Sequence, residues 1–170
     1  TTAGDFVRFC RFYVELHPEA LESYHAVGEF TYPEDRNVDT PDRFHRITQS
    51  NRNTLLGEYP GLDGLKSGYI DESGYNLAVT AEREGMRLIA VLLGGGGETH
   101  PEGRQRVAAD ARALLDYGYN QYALIRPRQI RLEPVEVWKG RLDRVMPIPG
   151  GELRAVIPKS RLPLLTTRIE

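Results

Sequence analysis

The chain has 170 residues, 40 % hydrophobic and 27 % charged, which is ordinary for a soluble globular protein. No apolar run reaches the roughly 18–20 residues of a membrane-crossing helix, no basic and then apolar leader opens the sequence, and the single cysteine, Cys10, excludes an internal disulfide. Net charge is −2 but uneven: residues 1–123 carry 12 Lys/Arg against 19 Asp/Glu, and residues 124–170 carry 10 against 5. The change of sign suggests two units joined near Leu124. The basic tail fits either an anionic surface or a solvated domain face, and nothing in the pattern reads as a nucleic-acid footprint.

Ala3 to Leu16 places apolar residues at 6, 7, 9, 10, 13, 14 and 16, the spacing of an amphipathic helix. Thr1 or Thr2 with Asp5 supplies its cap and a negative first turn, and His17-Pro18 ends it. Cys10 sits among apolar neighbours and reads as a small buried hydrophobe rather than a nucleophile. A short helical turn is expected over Pro18 to Tyr24, a strand over Gly28 to Tyr32, a polar loop over Pro33 to Arg43 and a second strand over Phe44 to Thr48.

Three strands follow, Leu62–Ile70, Tyr75–Glu82 and Met86–Leu93, separated by the turns Asp71-Glu72-Ser73-Gly74 and Arg83-Glu84-Gly85. Turn signals between such runs predict an antiparallel meander. The unbroken apolar run Leu88–Leu93 suggests a strand covered on both faces. Gly94–Gly97 lacks the lysine of a phosphate-binding loop and reads as a flexible connection. A helix is expected over Gly103–Tyr119, its buried face made by Val107, Ala108, Ala111, Leu114 and Leu115, with Gly118 as its C-cap. Beyond Tyr122 the texture changes to short strands (Arg131–Trp138, Arg144–Ile148, Leu153–Ile157) with turns at Lys139-Gly140 and Pro149-Gly150-Gly151, a small all-β unit. The fold class is therefore α+β: an antiparallel sheet with flanking helices over residues 1–122, then a β-rich domain over 123–170, read as incomplete.

Lys66 is the only lysine in residues 1–123, where the other 11 basic residues are arginine. An ammonium can move a proton whereas a guanidinium effectively cannot, and burial would favour that role. In Lys66-Ser67-Gly68 the hydroxyl can bond a carboxylate, and the glycine lets a ligand backbone approach. A solvated lysine guarding a sheet edge is the plainer reading of the triplet by itself.

The surroundings change that balance. Asn51-Arg52-Asn53, Leu62-Asp63-Gly64-Leu65-Lys66-Ser67-Gly68-Tyr69 and Ser73-Gly74-Tyr75-Asn76-Leu77 together resemble the third conserved block of the low-molecular-mass penicillin-binding proteins, the D-alanyl-D-alanine carboxypeptidases. The resemblance continues through Met86–Gly94 and Leu114–Tyr119 and covers residues 1–122, and the tail looks like the start of that family's second domain. The resemblance implies a transpeptidase-like fold and three catalytic elements: Ser-x-x-Lys, Ser-x-Asn and Lys-Thr/Ser-Gly. The first two are absent from residues 1–170. The opening Thr-Thr-Ala-Gly-Asp resembles the segment just after Ser-x-Asn, so the nucleophile is expected before Thr1.

For the reaction, the resemblance implies a serine attacking the bond between two D-alanines of a peptidoglycan stem peptide, with water hydrolysing the acyl-enzyme. Lys66 would bind the terminal carboxylate and relay protons, and Ser67 would bond the same carboxylate. Gly68 would admit the ligand, and the backbone N–H of Tyr69 would form half of an oxyanion hole. An arginine at the start of the last helix would steer the carboxylate: Arg106 is nearest in spacing, and Arg104 competes. It further implies export, β-lactam antibiotics as ligands, no cofactor, and any peripheral membrane association through a region outside this chain. His17, His25, His45 and His100 show no metal-ligand spacing. The alternatives are a non-catalytic peptidoglycan-binding module and a β-lactamase-like hydrolase, the second disfavoured by the β-rich tail. As a cut domain, the chain is expected to expose Leu62, Leu65 and Ile70 along the strand that carries Lys66.

Overall fold

A computed structural model of the chain describes residues 1–34, 37, 45–126, 133–148, 151, 152 and 154–165. The chain divides into two compact units, Thr1–Gly118 and Tyr119–Glu170. In the first, helix α1 (Ala3–Leu16) begins at a capping box: the Thr2 hydroxyl accepts from the Asp5 backbone N–H at 3.1 Å, and the Asp5 carboxylate accepts from the Thr2 N–H at 3.2 Å. The Thr2 hydroxyl also donates to that carboxylate at 2.7 Å, and these bonds hold the Asp5 carboxyl below the usual carboxylate range. The apolar stripe of α1 buries Cys10 and Val14, which pack with Leu21, Leu65 and Ala78. Burial pushes the Cys10 thiol up, in keeping with an inert hydrophobe. Past His17 the short helical turn expected near Pro18 takes the form of one turn of π-helix, Leu21–His25.

Strands β1 (Glu29–Tyr32) and β2 (Ile47–Ser50) pair antiparallel, with the Thr31 and Thr48 hydroxyls 2.9 Å apart. The second strand thus begins at Ile47 rather than Phe44, which lies outside the described residues, as does most of the expected loop Pro33–Arg43.

Strands β3 (Leu62–Ile70), β4 (Gly74–Arg83) and β5 (Met86–Gly95) form the antiparallel meander in the order β3-β4-β5. Glu84 and Gly85 both have positive φ, 52° and 75°, the conformation of a tight two-residue hairpin loop. The central strand β4 is the most buried. The apolar run in β5 does not give full burial: Met86 and Ala90 are buried, Leu88, Ile89, Val91 and Leu92 are half-buried, and Leu93 is exposed, because β5 is an edge strand. Its two faces do meet different helices. Ile89 and Val91 pack on the α1 cluster, and Leu88 meets Gly118 of helix α2 (His100–Gln121). The first unit is therefore helix, sheet, helix. Arg87 ties the strands together, donating to both carboxylate oxygens of Asp63 on β3 at 2.8 Å and to Glu82 on β4 at 2.8 Å. β3 is the other edge, yet Leu62 and Leu65 are buried, contrary to the expectation that they stand open; only Ile70 of the three is exposed.

Two glycines that read as helix punctuation do other work. Helix α2 starts before Gly103 and continues past Gly118, so neither marks an end. A Cβ on Gly103 would lie 2.0 Å from the Tyr75 ring, and one on Gly118 would lie 2.5 Å from Leu88 Cδ1. Gly103→Ala is expected to destabilise the chain by about 1–3 kcal/mol, the usual penalty of overpacking. Gly118→Ala should cost less, because the Leu88 side chain can turn away. Urea unfolding of the two variants checks the order.

In the second unit, β6 (Tyr122–Ile125) pairs with β9 (Ala155–Pro158), and β7 (Val135–Glu136) pairs with β8 (Arg144–Val145). A 3-10 helix, Lys159–Leu164, follows, and Lys159 donates to the Tyr119 carbonyl at 2.8 Å. The strands are shorter than expected: within Arg131–Trp138 only Val135-Glu136 is extended, with Arg131 outside the described residues, as are Leu153, Pro149 and Gly150. The Lys139-Gly140 turn is present, with Lys139 at φ 59°. β6 follows the long helix without a turn signal in its sequence. The architecture is α+β, antiparallel sheet with flanking helices followed by small β-strands.

Candidate active site

Alternation along β3 separates the triplet onto two faces. Ser67 pairs with Leu77 and Tyr69 with Tyr75 across the sheet, while Lys66 pairs with Ala78 and Gly68 with Asn76. Two cavities meet at this stretch. The larger, about 370 Å³, brings Ser67, Gly68 and Tyr69 together with Arg52, His100 and Arg104. The smaller, about 200 Å³, adjoins Ser67 and Gly68 and is lined by Lys66 with Thr1 and Phe6 of the α1 side. The Lys66 ammonium donates to the Ser67 carbonyl. Lys66 is exposed, so burial does not act on its ammonium in this chain.

The wall beside Ser67 is aromatic. Tyr69 lies against Tyr75 with ring centroids 4.5 Å apart, and the His100 ring meets Tyr69 edge-on at 4.8 Å. The Tyr75 hydroxyl and His100 Nδ1 are 2.8 Å apart. Tyr69 donates to the Asp71 carboxylate at 2.7 Å, and this bond raises the phenol's pKa. Arg104, one turn beyond His100, donates from Nε to the His100 carbonyl at 3.2 Å.

The structure distinguishes the two arginines. Arg104 lines the cavity with Ser67. Arg106 is not among its lining residues; it is exposed and pairs with Glu102 at 2.5 Å. Arg52, Tyr75 and His100 join the site without having been singled out as site residues in the sequence. Arg52 had a local signal. Asn51 donates to the His25 and Val27 carbonyls, and Asn53 donates to the Gly64 carbonyl and accepts from Leu55 N–H. The two asparagines fix the backbone on either side of Arg52. Tyr75 was accessible from the hairpin register, which sets it opposite Tyr69. His100 was hidden by the late helix start expected at Gly103.

His25 has a different place. Its Nε2 lies 2.9 Å from the Tyr13 hydroxyl and its Nδ1 2.9 Å from the Leu65 carbonyl. Since a carbonyl only accepts, Nδ1 carries the proton and Nε2 accepts from Tyr13. Among the described residues no group of three His, Cys, Asp or Glu side chains could hold a metal ion, and no helix is long and apolar enough to cross a membrane.

Comparison with known proteins gives this cleft its context. Penicillin-binding protein 5 from Haemophilus influenzae superposes with a TM-score of 0.64 at 24 % identity, over 89 % of this chain and 40 % of that one. Penicillin-binding protein 6B from Escherichia coli gives 0.55 at 26 % identity, over 88 % and 37 %. The fold is that of penicillin-binding proteins. Residues 15–97 match the D-alanyl-D-alanine carboxypeptidase family model, and D-alanyl-D-alanine carboxypeptidase DacA of Escherichia coli K12 is 34 % identical over 122 residues, 70 % of this chain. The chain belongs to the D-alanyl-D-alanine carboxypeptidase family. It spans 29 % of the length of DacA.

Proposed function

We propose that residues 1–170 are the substrate-carboxylate side of a serine-type D-alanyl-D-alanine carboxypeptidase that trims the terminal D-alanine from peptidoglycan stem peptides. The observation that carries this reading is one cavity lined by Ser67, Gly68 and Arg104 in a chain of this family. A serine attacks the carbonyl between the two D-alanines. The terminal D-alanine leaves with its new amine, and water then cleaves the acyl ester. Ser67 and Arg104 hold the departing residue's carboxylate, Arg104 taking the role in preference to Arg106 because Arg106 is engaged by Glu102. Lys66 adds charge and a transferable proton from the adjoining cavity, and the Tyr69 N–H supplies half of the oxyanion hole. The attacking serine lies outside residues 1–170, since no serine here is followed three residues later by lysine.

The same reading makes β-lactams ligands of the site and puts the protein on the outer side of the cytoplasmic membrane, where stem peptides are. It makes residues 1–122 part of the catalytic domain and residues 123–170 the beginning of a second one. Any membrane attachment would run through a region outside the chain.

Two measurements test it. The 170-residue chain alone is expected to show no mass shift after incubation with penicillin and no release of D-alanine from an acyl-D-Ala-D-Ala peptide. Supplied with a family segment bearing Ser-x-x-Lys and Ser-x-Asn, it is expected to do both, with Ser67→Ala and Arg104→Ala raising KM for the peptide. A covalent adduct on the chain alone would move the nucleophile into residues 1–170. Failure of the reconstituted protein to release D-alanine would remove the carboxypeptidase reading.

A further inference from the structure

Ser67 and Arg104 share their cavity with Tyr69, Tyr75 and His100, whose side chains the hydrolytic steps leave unused. This inference rests on the carboxypeptidase reading. A carboxylate held by Ser67 and Arg104 puts the terminal residue's Cα one bond away, so its side chain must lie against the walls of that same cavity. Those walls include Tyr69 and apolar Leu77, Val107 and Ala108 beside polar Arg52, Thr54 and Asn76. The cavity, about 370 Å³, has to take the carboxylate and backbone of the terminal residue as well as its side chain.

Tyr69 is built to receive a ring. Tyr75 packs at 4.5 Å, the His100 edge stands at 4.8 Å, and Asp71 holds the hydroxyl at 2.7 Å. The residue nevertheless remains 42 % exposed. These three contacts restrain its orientation before any ligand arrives, so little rotamer freedom is lost on binding. Tyr75 is itself fixed by His100 and by contact with α2 at Gly103. A rigid, partly exposed aromatic ring favours stacked or edge-on contact with another flat ring.

We propose that Tyr69 is a specificity-determining residue and that the site takes stem peptides whose terminal D-residue carries an aromatic side chain, in addition to those ending in D-alanine. The test is titration of the isotopically labelled 170-residue chain with N-acetyl-D-Ala-D-Ala and with N-acetyl-D-Ala-D-Phe, followed by NMR shifts. The D-Phe peptide is expected to bind at least about fivefold more tightly, the scale of an aromatic pair converted to affinity. The ratio of the two affinities should fall to about one in Tyr69→Ala and persist in Tyr69→Phe, which keeps the ring. Equal affinities in the wild-type chain, or a preference that survives Tyr69→Ala, would overturn the inference and leave the carboxylate site standing. Shifts absent from Ser67 and Arg104 with both peptides would overturn the carboxylate site, and this inference with it.

Discussion

Lys66→Arg, in the protein complete with its serine, is expected to slow acylation by labelled penicillin at least ~100-fold, the usual cost of losing one positioned acid–base or electrostatic group. The substitution keeps the charge, so a purely electrostatic surface role would leave the rate unchanged. What changes is geometry and proton chemistry. The ammonium is a compact donor that turns about its own axis and already reaches the Ser67 carbonyl. A guanidinium is planar, longer and effectively unable to give up a proton. Exposure of Lys66 makes the experiment clean, because arginine meets no packing barrier there. Lys139→Arg, in the second unit, is the control and should acylate at the wild-type rate. A Lys66→Arg enzyme within a few fold of wild type would reduce the residue to a solvated charge at a sheet edge.

Leu115→Ala is expected to have the largest effect on stability, a loss of about 2–5 kcal/mol. Leu115 is 1 % exposed and sits on the α2 face that also buries Val107, Ala108 and Ala111. It borders an apolar cleft with Leu88, Leu114 and Gly118, so the space left by alanine would join that cleft instead of forming a sealed void. The lost transfer energy should therefore dominate over the cavity penalty, which points to the lower half of the range. Leu114→Ala, at a side chain 50 % exposed, should cost under about 1 kcal/mol. Denaturant unfolding with unchanged m-values separates the two. A loss below about 1 kcal/mol at Leu115 would mean that α2 contributes little to the sheet's stability.

Sequence reading reached what is governed locally. The cap of α1 at Thr1 or Thr2 with Asp5 behind it, which the structure places at Thr2, the alternation of β3 and β4 and the Glu84-Gly85 turn depend on neighbours a few residues apart. Lys66-Ser67-Gly68 was visible because lysine is absent from the rest of residues 1–123 and because of the family resemblance around it. The sequence left Arg104 and Arg106 open; the place of His100 beside Arg104 at the cavity was not legible, for one physical reason. Gly103 reads as a helix boundary because glycine is a poor helix former. Here tertiary packing overrides propensity: the helix begins at His100, with the Thr99 hydroxyl accepting from the Glu102 N–H at 3.4 Å, and Gly103 serves the approach to Tyr75. Moving the start by one turn puts His100 on the helix, one turn before Arg104, where both line the cavity. The burial of Leu62 and Leu65 was missed in a similar way, since Leu65 packs with Cys10, Val14 and Leu21 from the far side of the strand.

The imidazole of His25 has a mechanical meaning for Lys66. Leu65 is the residue immediately before it, and a peptide plane includes the carbonyl of one residue and the nitrogen of the next. By gripping the Leu65 oxygen from behind, with its own back braced by the Tyr13 phenol, the ring acts as a post that stops that plane from rocking. The aim of the Lys66 side chain is thus anchored in α1, on the face opposite the aromatic wall, and a strand that pairs on one side only among the described residues acquires stiffness where a ligand would press against it.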